Sequence, residues 1–267
     1  MSTSTPTYRS ALVRAIHLTL TAGLIFGLLV LSPTDSSANP NGDKRKRRAP
    51  TRAVTRTEVK EAEGRLAEMG YGPGRVDGVI DATSRNALIA FQKWEGLKAT
   101  GALNRDVLDA ITNASAPQAK DTGYRHVEVD IDRQVLLMTD DDGVVQRVLP
   151  VSSGSNKQYR EKGGSGLAYT PRGRFRINAK IAGWRKSPLG LLYYPSYFSG
   201  GVAIHGNPSV PNLPESHGCV RIPMSAAIEV SKQLPIGTIV LIYDNRGFVS
   251  AKDWAKADRE KQEASIR

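Results

Sequence analysis

Six consecutive residues toward the C-terminal end carry the groups that a nucleophilic site needs: Ser216, His217, Gly218, Cys219, Val220 and Arg221. Cys219 is the only cysteine in the chain. A thiol attacks as thiolate, and an ordinary cysteine titrates near ~8.5, so it needs basic or electropositive company. His217 stands two residues before it and Arg221 two after, while His205 lies upstream in Ile204-His205-Gly206. Glycine beside a nucleophile lets the backbone turn sharply and present its amides to an incoming carbonyl. A nucleophile, two candidate bases, amide donors and an anion-binding arginine thus fall within one short stretch. Two plainer readings use the same residues. Two histidines and a cysteine could bind zinc, but structural zinc sites want four protein ligands and no fourth stands out, so no metal is assigned. Cys219 could also be an inert, buried, apolar side chain, which sits poorly with Arg221 and two histidines as neighbours. His17 and His126 read as ordinary solvated or hydrogen-bonded histidines.

Composition narrows the setting of this chemistry. Residues 1–38 carry Arg9 and Arg14, then an uncharged apolar run from about Ala15 to Leu31, then Ser36, Ser37 and Ala38. That layout predicts a secretory signal peptide, with an uncleaved membrane anchor as the rival. In either case the remainder works outside the cytoplasm, in the periplasm or cell wall. There a lone cysteine cannot form an internal disulfide, and a reactive free thiol or an intermolecular pairing remains. Setting aside Arg9, Arg14 and Asp35 lowers the net charge from +11 to +10. Such a surplus suits anionic wall polymers or anionic lipid; export and the lack of a recognition motif argue against nucleic acid.

The elements that must position the site change character along the chain. Residues 39–56, with Lys44 to Arg48 in one run, predict a basic disordered tether. Residues 57–114 predict a helical module. Val59, Ala62, Leu66 and Met69 recur at helical spacing before Gly70; Asp81 or Thr83 starts a second helix burying Ala87, Leu88, Phe91 and Trp94; Asn104 caps a third with Val107, Leu108 and Ile111. Phe91 and Trp94 read as core rather than as ligand platforms. After a linker at 115–123 the period becomes two. Val127, Val129 and Ile131 alternate with His126, Glu128 and Asp130 as in a half-buried strand, and further strands fall at 135–138, 144–151, around Phe175 and Ile177, and at 239–243. With one clear helix, Ser225 to Leu234, residues 124–245 predict a β-rich sandwich or partial barrel, and the whole chain an α+β protein. Residues 246–267 are a charged tail.

Two stretches resemble known families. Gly74 through Leu103, above all Val76-Asp77-Gly78, Thr83 to Leu88, Phe91-Gln92, Gly96-Leu97 and Thr100-Gly101, is similar to the three-helix peptidoglycan-binding module. Ile204-His205-Gly206 followed by Ser216 to Arg221 resembles the signature of the L,D-transpeptidase (YkuD) catalytic domain. Asp130, Arg133-Gln134, Pro150 to Gly154, Thr170 to Phe175 and Leu234 to Val240 agree in order.

The resemblance implies Cys219 as nucleophile, His205 as its base, and Gly206 holding the imidazole through its backbone. It implies an oxyanion hole from the Gly218 and Cys219 amides with His217, and Ser216 and Arg221 fixing the loop or binding a substrate carboxylate. Trp184, Tyr193 and Tyr194 precede His205 and read equally as a lid over the groove, with Tyr194 as a substrate contact, or as packing residues. The segment 155–169 reads as an insertion that lines the groove or moves freely. The implied reaction needs no cofactor. A tetrapeptide stem of peptidoglycan loses D-alanine to form a thioester, and a neighbouring stem's amine takes the acyl group; carbapenems acylate such cysteines. An L,D-carboxypeptidase using water at the same site, and a non-catalytic wall-binding protein, are the alternatives.

Overall fold

The computed structural model describes residues 52–162, 164–245 and 247. The expected signal segment, His17, residues 39–51 of the expected basic tether and all of the charged tail but residue 247 lie outside them, while Arg56, expected at the end of the tether, opens the first helix. Three helices come first: α1 (Arg56–Glu68), α2 (Ala82–Trp94) and α3 (Arg105–Asn113). Each starts on a side-chain cap. Thr55 and Glu58 form a reciprocal capping box on α1, Asp81 accepts from the amides of Thr83 and Ser84 on α2, and Asn104 accepts from Val107 on α3. Such caps stabilise a helix start by about 1 kcal/mol each. Ala62, Leu66 and Met69 meet Leu88, Phe91, Leu108 and Ile111 in one apolar cluster, and Phe91 is fully buried against Tyr71.

The strands follow as β1 (His126–Asp130), β2 (Val135–Thr139), β3 (Val145–Pro150), β4 (Gln158–Glu161), β5 (Gly164–Leu167), β6 (Gly173–Arg176), β7 (Ala179–Lys180), β8 (Trp184–Ser187), β9 (Gly190–Ser199), β10 (Val202–Asn207) and β11 (Val220–Pro223); α4 (Met224–Gln233) and β12 (Ile239–Tyr243) complete the order. One five-stranded sheet runs β3-β2-β1-β12-β6, with β1 and β12 parallel. A second runs β11-β10-β9-β7, with β8 paired to β9. Val127, Val129, Leu136 and Val240 of the first sheet share a core with Phe198, Ile204, Val220 and Ile222 of the second and Ala226, Ala227 and Val230 of α4. The architecture is α+β, as expected.

The half-buried reading of β1 is corrected: all five of its residues are buried. Its polar face is sealed by neighbouring residues of the preceding linker and by one distant strand residue, Tyr243. Glu128 accepts from the amides of Lys120 and Asp121 and from Tyr243 Oη at 3.0 Å, and His126 Nε2 lies 3.1 Å from the same carboxylate. Nor do the helices hang free of the sheet. Leu137 and Val148 pack into the helical cluster, the Val148 amide donates to Gly70 O, and Lys93 Nζ donates to Val151 O at 2.9 Å. Among the described residues, no helix is long and apolar enough to cross a membrane.

Candidate active site

Strands β10 and β11 run parallel, with Ile204 opposite Val220 and His205 opposite Arg221. Side chains alternate between faces with period two. Ile204, Val220 and Ile222 therefore enter the core, and His205, Arg221 and the residue just before β11, Cys219, share the other face. Gly206 lies on the core side, where an added Cβ would come within 2.6 Å of Ala227 Cβ; its missing side chain lets α4 approach the sheet.

His205 is buried, and its Nδ1 lies 2.9 Å from the carbonyl oxygen of Gly206. A carbonyl only accepts, so Nδ1 carries the hydrogen and neutral His205 presents Nε2 as a lone pair. Burial pushes its pKa down to about 4; the Gly206 carbonyl opposes this and Arg221 adds to it. Cys219 is partly exposed, with Sγ 3.8 Å from the Gly201 carbonyl. Dense packing around the sulfur raises the thiol's pKa, against weaker lowering by the Ala203 amide and by Arg221. Both shifts favour the uncharged forms, a thiol on Cys219 and a neutral imidazole on His205.

The loop before Cys219 is fixed from inside. Ser216 is buried; its Oγ accepts from the Gly218 amide at 3.0 Å and donates to the Cys219 carbonyl. Its own backbone pairs with Ser153 and Ser155. Gly218 adopts φ +140°, and a Cβ there would lie 2.8 Å from Tyr169 O, so only glycine fits. The Gly218 amide, which the resemblance implies as an oxyanion donor, donates to Ser216 Oγ in this structure. Proximity in sequence to Cys219 gave no sign of this, because the bond depends on how the loop folds back.

A cleft of about 740 Å³ opens on this face, lined by Cys219, His205, His217, Ser216, Gly218 and Arg221, together with Tyr159, Tyr197, Asn178, Asn207 and Arg185. His217 is half-buried. Its Nε2 lies 3.0 Å from Glu161 Oε1, and its ring meets Tyr159 edge-on at 4.7 Å. Both partners belong to the β4–β5 hairpin, so the segment read as an insertion forms one wall. Tyr194, the expected substrate contact, stands outside the described cleft lining and meets edge-on Tyr193, which in turn packs against Trp184. The aromatics that do line it, Tyr159 and Tyr197, were missed. Tyr159 stood in a Gly- and Lys-rich run with no strand period, and Tyr197 looked like one more strand residue. Among the described residues, no group of three or more His, Cys, Asp or Glu side chains converges as a metal site requires.

Residues 124–242 match the family model of the L,D-transpeptidase catalytic domain, and residues 55–111 that of a peptidoglycan-binding domain. The crystal structure of an L,D-transpeptidase (residues 123–326) from Xylanimonas cellulosilytica is 37% identical, with a TM-score of 0.67, over 73% of this chain and 97% of that one. An L,D-transpeptidase from Stackebrandtia nassauensis is 24% identical over 73% and 94%, with a TM-score of 0.42, too distant to carry an argument. No curated protein matches. A β-rich domain with this cleft, joined to a wall-binding helical module, defines an enzyme that acts on peptidoglycan outside the cytoplasm. The chain belongs to the L,D-transpeptidase family.

Proposed function

We propose that the protein forms peptidoglycan cross-links through a thioester on Cys219. The observation that carries this is the shared face of β10 and β11, where the partly exposed Cys219 and a buried imidazole with a free Nε2 line one cleft. As Sγ attacks the carbonyl of a stem peptide, its proton passes to His205 Nε2. The negative charge on the carbonyl oxygen is met by backbone amide donation, chiefly from Cys219. Collapse breaks the C–N bond, His205 returns the proton to the leaving D-alanine amine, and the acyl group stays on sulfur. An acceptor amine from a second stem then gives its proton to His205 and attacks. The C–S bond breaks, and the thiolate recovers its proton.

A covalent intermediate divides one difficult displacement into two, and a positioned base contributes on the order of 10²–10⁴-fold. Among the described residues, Arg185 and Arg221 are the charged side chains lining the cleft, with the Glu161 carboxylate paired to His217 at its edge. A stem peptide bearing carboxylates suits that field. The helical module would hold the enzyme on the wall, where the chain's basic surplus favours anionic polymers, and residues 1–38 would direct export.

Incubation with a disaccharide-tetrapeptide, followed by mass spectrometry of the products, tests this. A cross-linked dimer with released D-alanine is expected. Tripeptide alone would show water as the acceptor, hence a carboxypeptidase, and an unchanged substrate would contradict catalysis altogether.

A further inference from the structure

Thr170 lies outside the cleft lining and is almost completely buried, yet its hydroxyl joins two segments of the site. Oγ1 accepts from the Gly154 amide at 2.8 Å and donates to the Gly218 carbonyl at 2.7 Å. An added Cβ on Gly154 would lie 2.5 Å from Ala168 O, so this close approach depends on glycine there. Gly154, Thr170 and Gly218, from three separate segments of the chain, are thus joined through one hydroxyl, which holds the carbonyl of the peptide unit before Cys219.

That unit joins Gly218 to Cys219. In a trans peptide, the carbonyl and the following N–H point in opposite directions within one plane. Fixing the Gly218 carbonyl on Thr170 therefore turns the Cys219 N–H away from Thr170. On the other side of Gly218, Ser216 Oγ takes the Gly218 N–H and donates to the Cys219 carbonyl. Among the described residues, the Cys219 N–H has no acceptor in the protein.

We propose that Thr170 is a positioning residue for the reaction: by holding the Gly218 carbonyl inward, it aims the Cys219 amide at the oxyanion that forms when Cys219 attacks. This rests on the thioester mechanism above. The effect is electrostatic preorganisation, because a donor already aimed at the developing charge needs no reorganisation during attack. A freely rotating peptide plane would have to be aligned at each turnover.

The test compares two reactions of one sulfur. Acylation by a carbapenem develops an oxyanion; alkylation by iodoacetamide displaces iodide and develops none. Both rates are measured by intact mass at one pH in the wild type, Thr170→Val, Thr170→Ala and Thr170→Ser, below the melting temperature of each. Val and Ala are expected to slow acylation about 100-fold, the order of magnitude for losing one oxyanion donor, with alkylation within about twofold of wild type. Ser, which keeps the hydroxyl, is expected to restore acylation to within a few fold. Acylation unchanged in Val and Ala, or acylation and alkylation lost in parallel, would overturn the positioning role. A wild-type protein that carbapenem does not acylate would instead refute the thioester mechanism itself.

Discussion

The Nδ1 atom of His205 is tied, at 2.9 Å, to the carbonyl of the very next residue, Gly206. That bond sets the tautomer, and burial sets the charge: an imidazole held to about 4 is neutral through the whole physiological range.

The same shift makes stability depend on pH. Below the ordinary 6.5 the unfolded imidazole binds a proton, whereas the folded one does so only near 4. Folded stability is therefore complete above 6.5 and falls as pH drops toward 4, by at most about 3 kcal/mol. Urea unfolding of wild type and His205→Gln at pH 7.5, 5.5 and 4.0 isolates this part. The difference between the two curves should shift across that window, and identical pH dependence would show that His205 is not buried neutral.

Cys219 should alkylate as a thiol, not as half of a resting ion pair. Its pKa is raised from 9.0 by burial. The iodoacetamide rate is expected to climb continuously from pH 6, with a midpoint above 9. A plateau between pH 5 and 8 is the mark of a preformed thiolate–imidazolium pair and would contradict the neutral starting state.

The β4–β5 wall is fastened to the site by Glu161 and His217. Glu161 is half-exposed, so the contact is worth no more than about 1 kcal/mol. Glu161→Ala should raise KM for the stem substrate up to about fivefold and leave kcat within about twofold. A collapse of kcat at constant KM would place this carboxylate in the chemistry instead.

Gly206→Ala forces a Cβ to within 2.6 Å of Ala227 Cβ and 3.3 Å of Met224 Sδ. Overpacking of this kind costs about 1–3 kcal/mol, which thermal melting should record as a loss of roughly 3–10 °C. An unchanged melting temperature would mean that α4 yields without cost.

Much of this molecule was readable in its residues, for identifiable reasons. Ile239–Tyr243 is the strand expected because five apolar or aromatic residues follow a Pro-Ile-Gly turn, and α4 begins one residue from the expected start. Asp81 and Asn104 cap as their types require. What escaped notice depends on partners distant in the chain. The burial of Glu128 comes from Tyr243, 115 positions away. The glycine-rich β4–β5 pair holds together by cross-strand pairing that no alternation announces. At the site, residue types identified Cys219, His205, His217, Ser216 and Arg221 as neighbours, and the cleft holds all five. The engagement of the Gly218 amide and the displacement of Tyr194 by Tyr159 and Tyr197 are matters of backbone path, which residue types do not encode.

The most direct measurement is intact-mass spectrometry with peptide mapping after exposure to a carbapenem, on wild type, Cys219→Ala and His205→Gln. A single adduct on the peptide containing Cys219 is expected in the wild type. None is expected in Cys219→Ala, and formation at least about 100-fold slower in His205→Gln. An adduct that persists in Cys219→Ala, or a wild type that cross-links stems without ever carrying an acyl group on Cys219, would contradict the thioester mechanism.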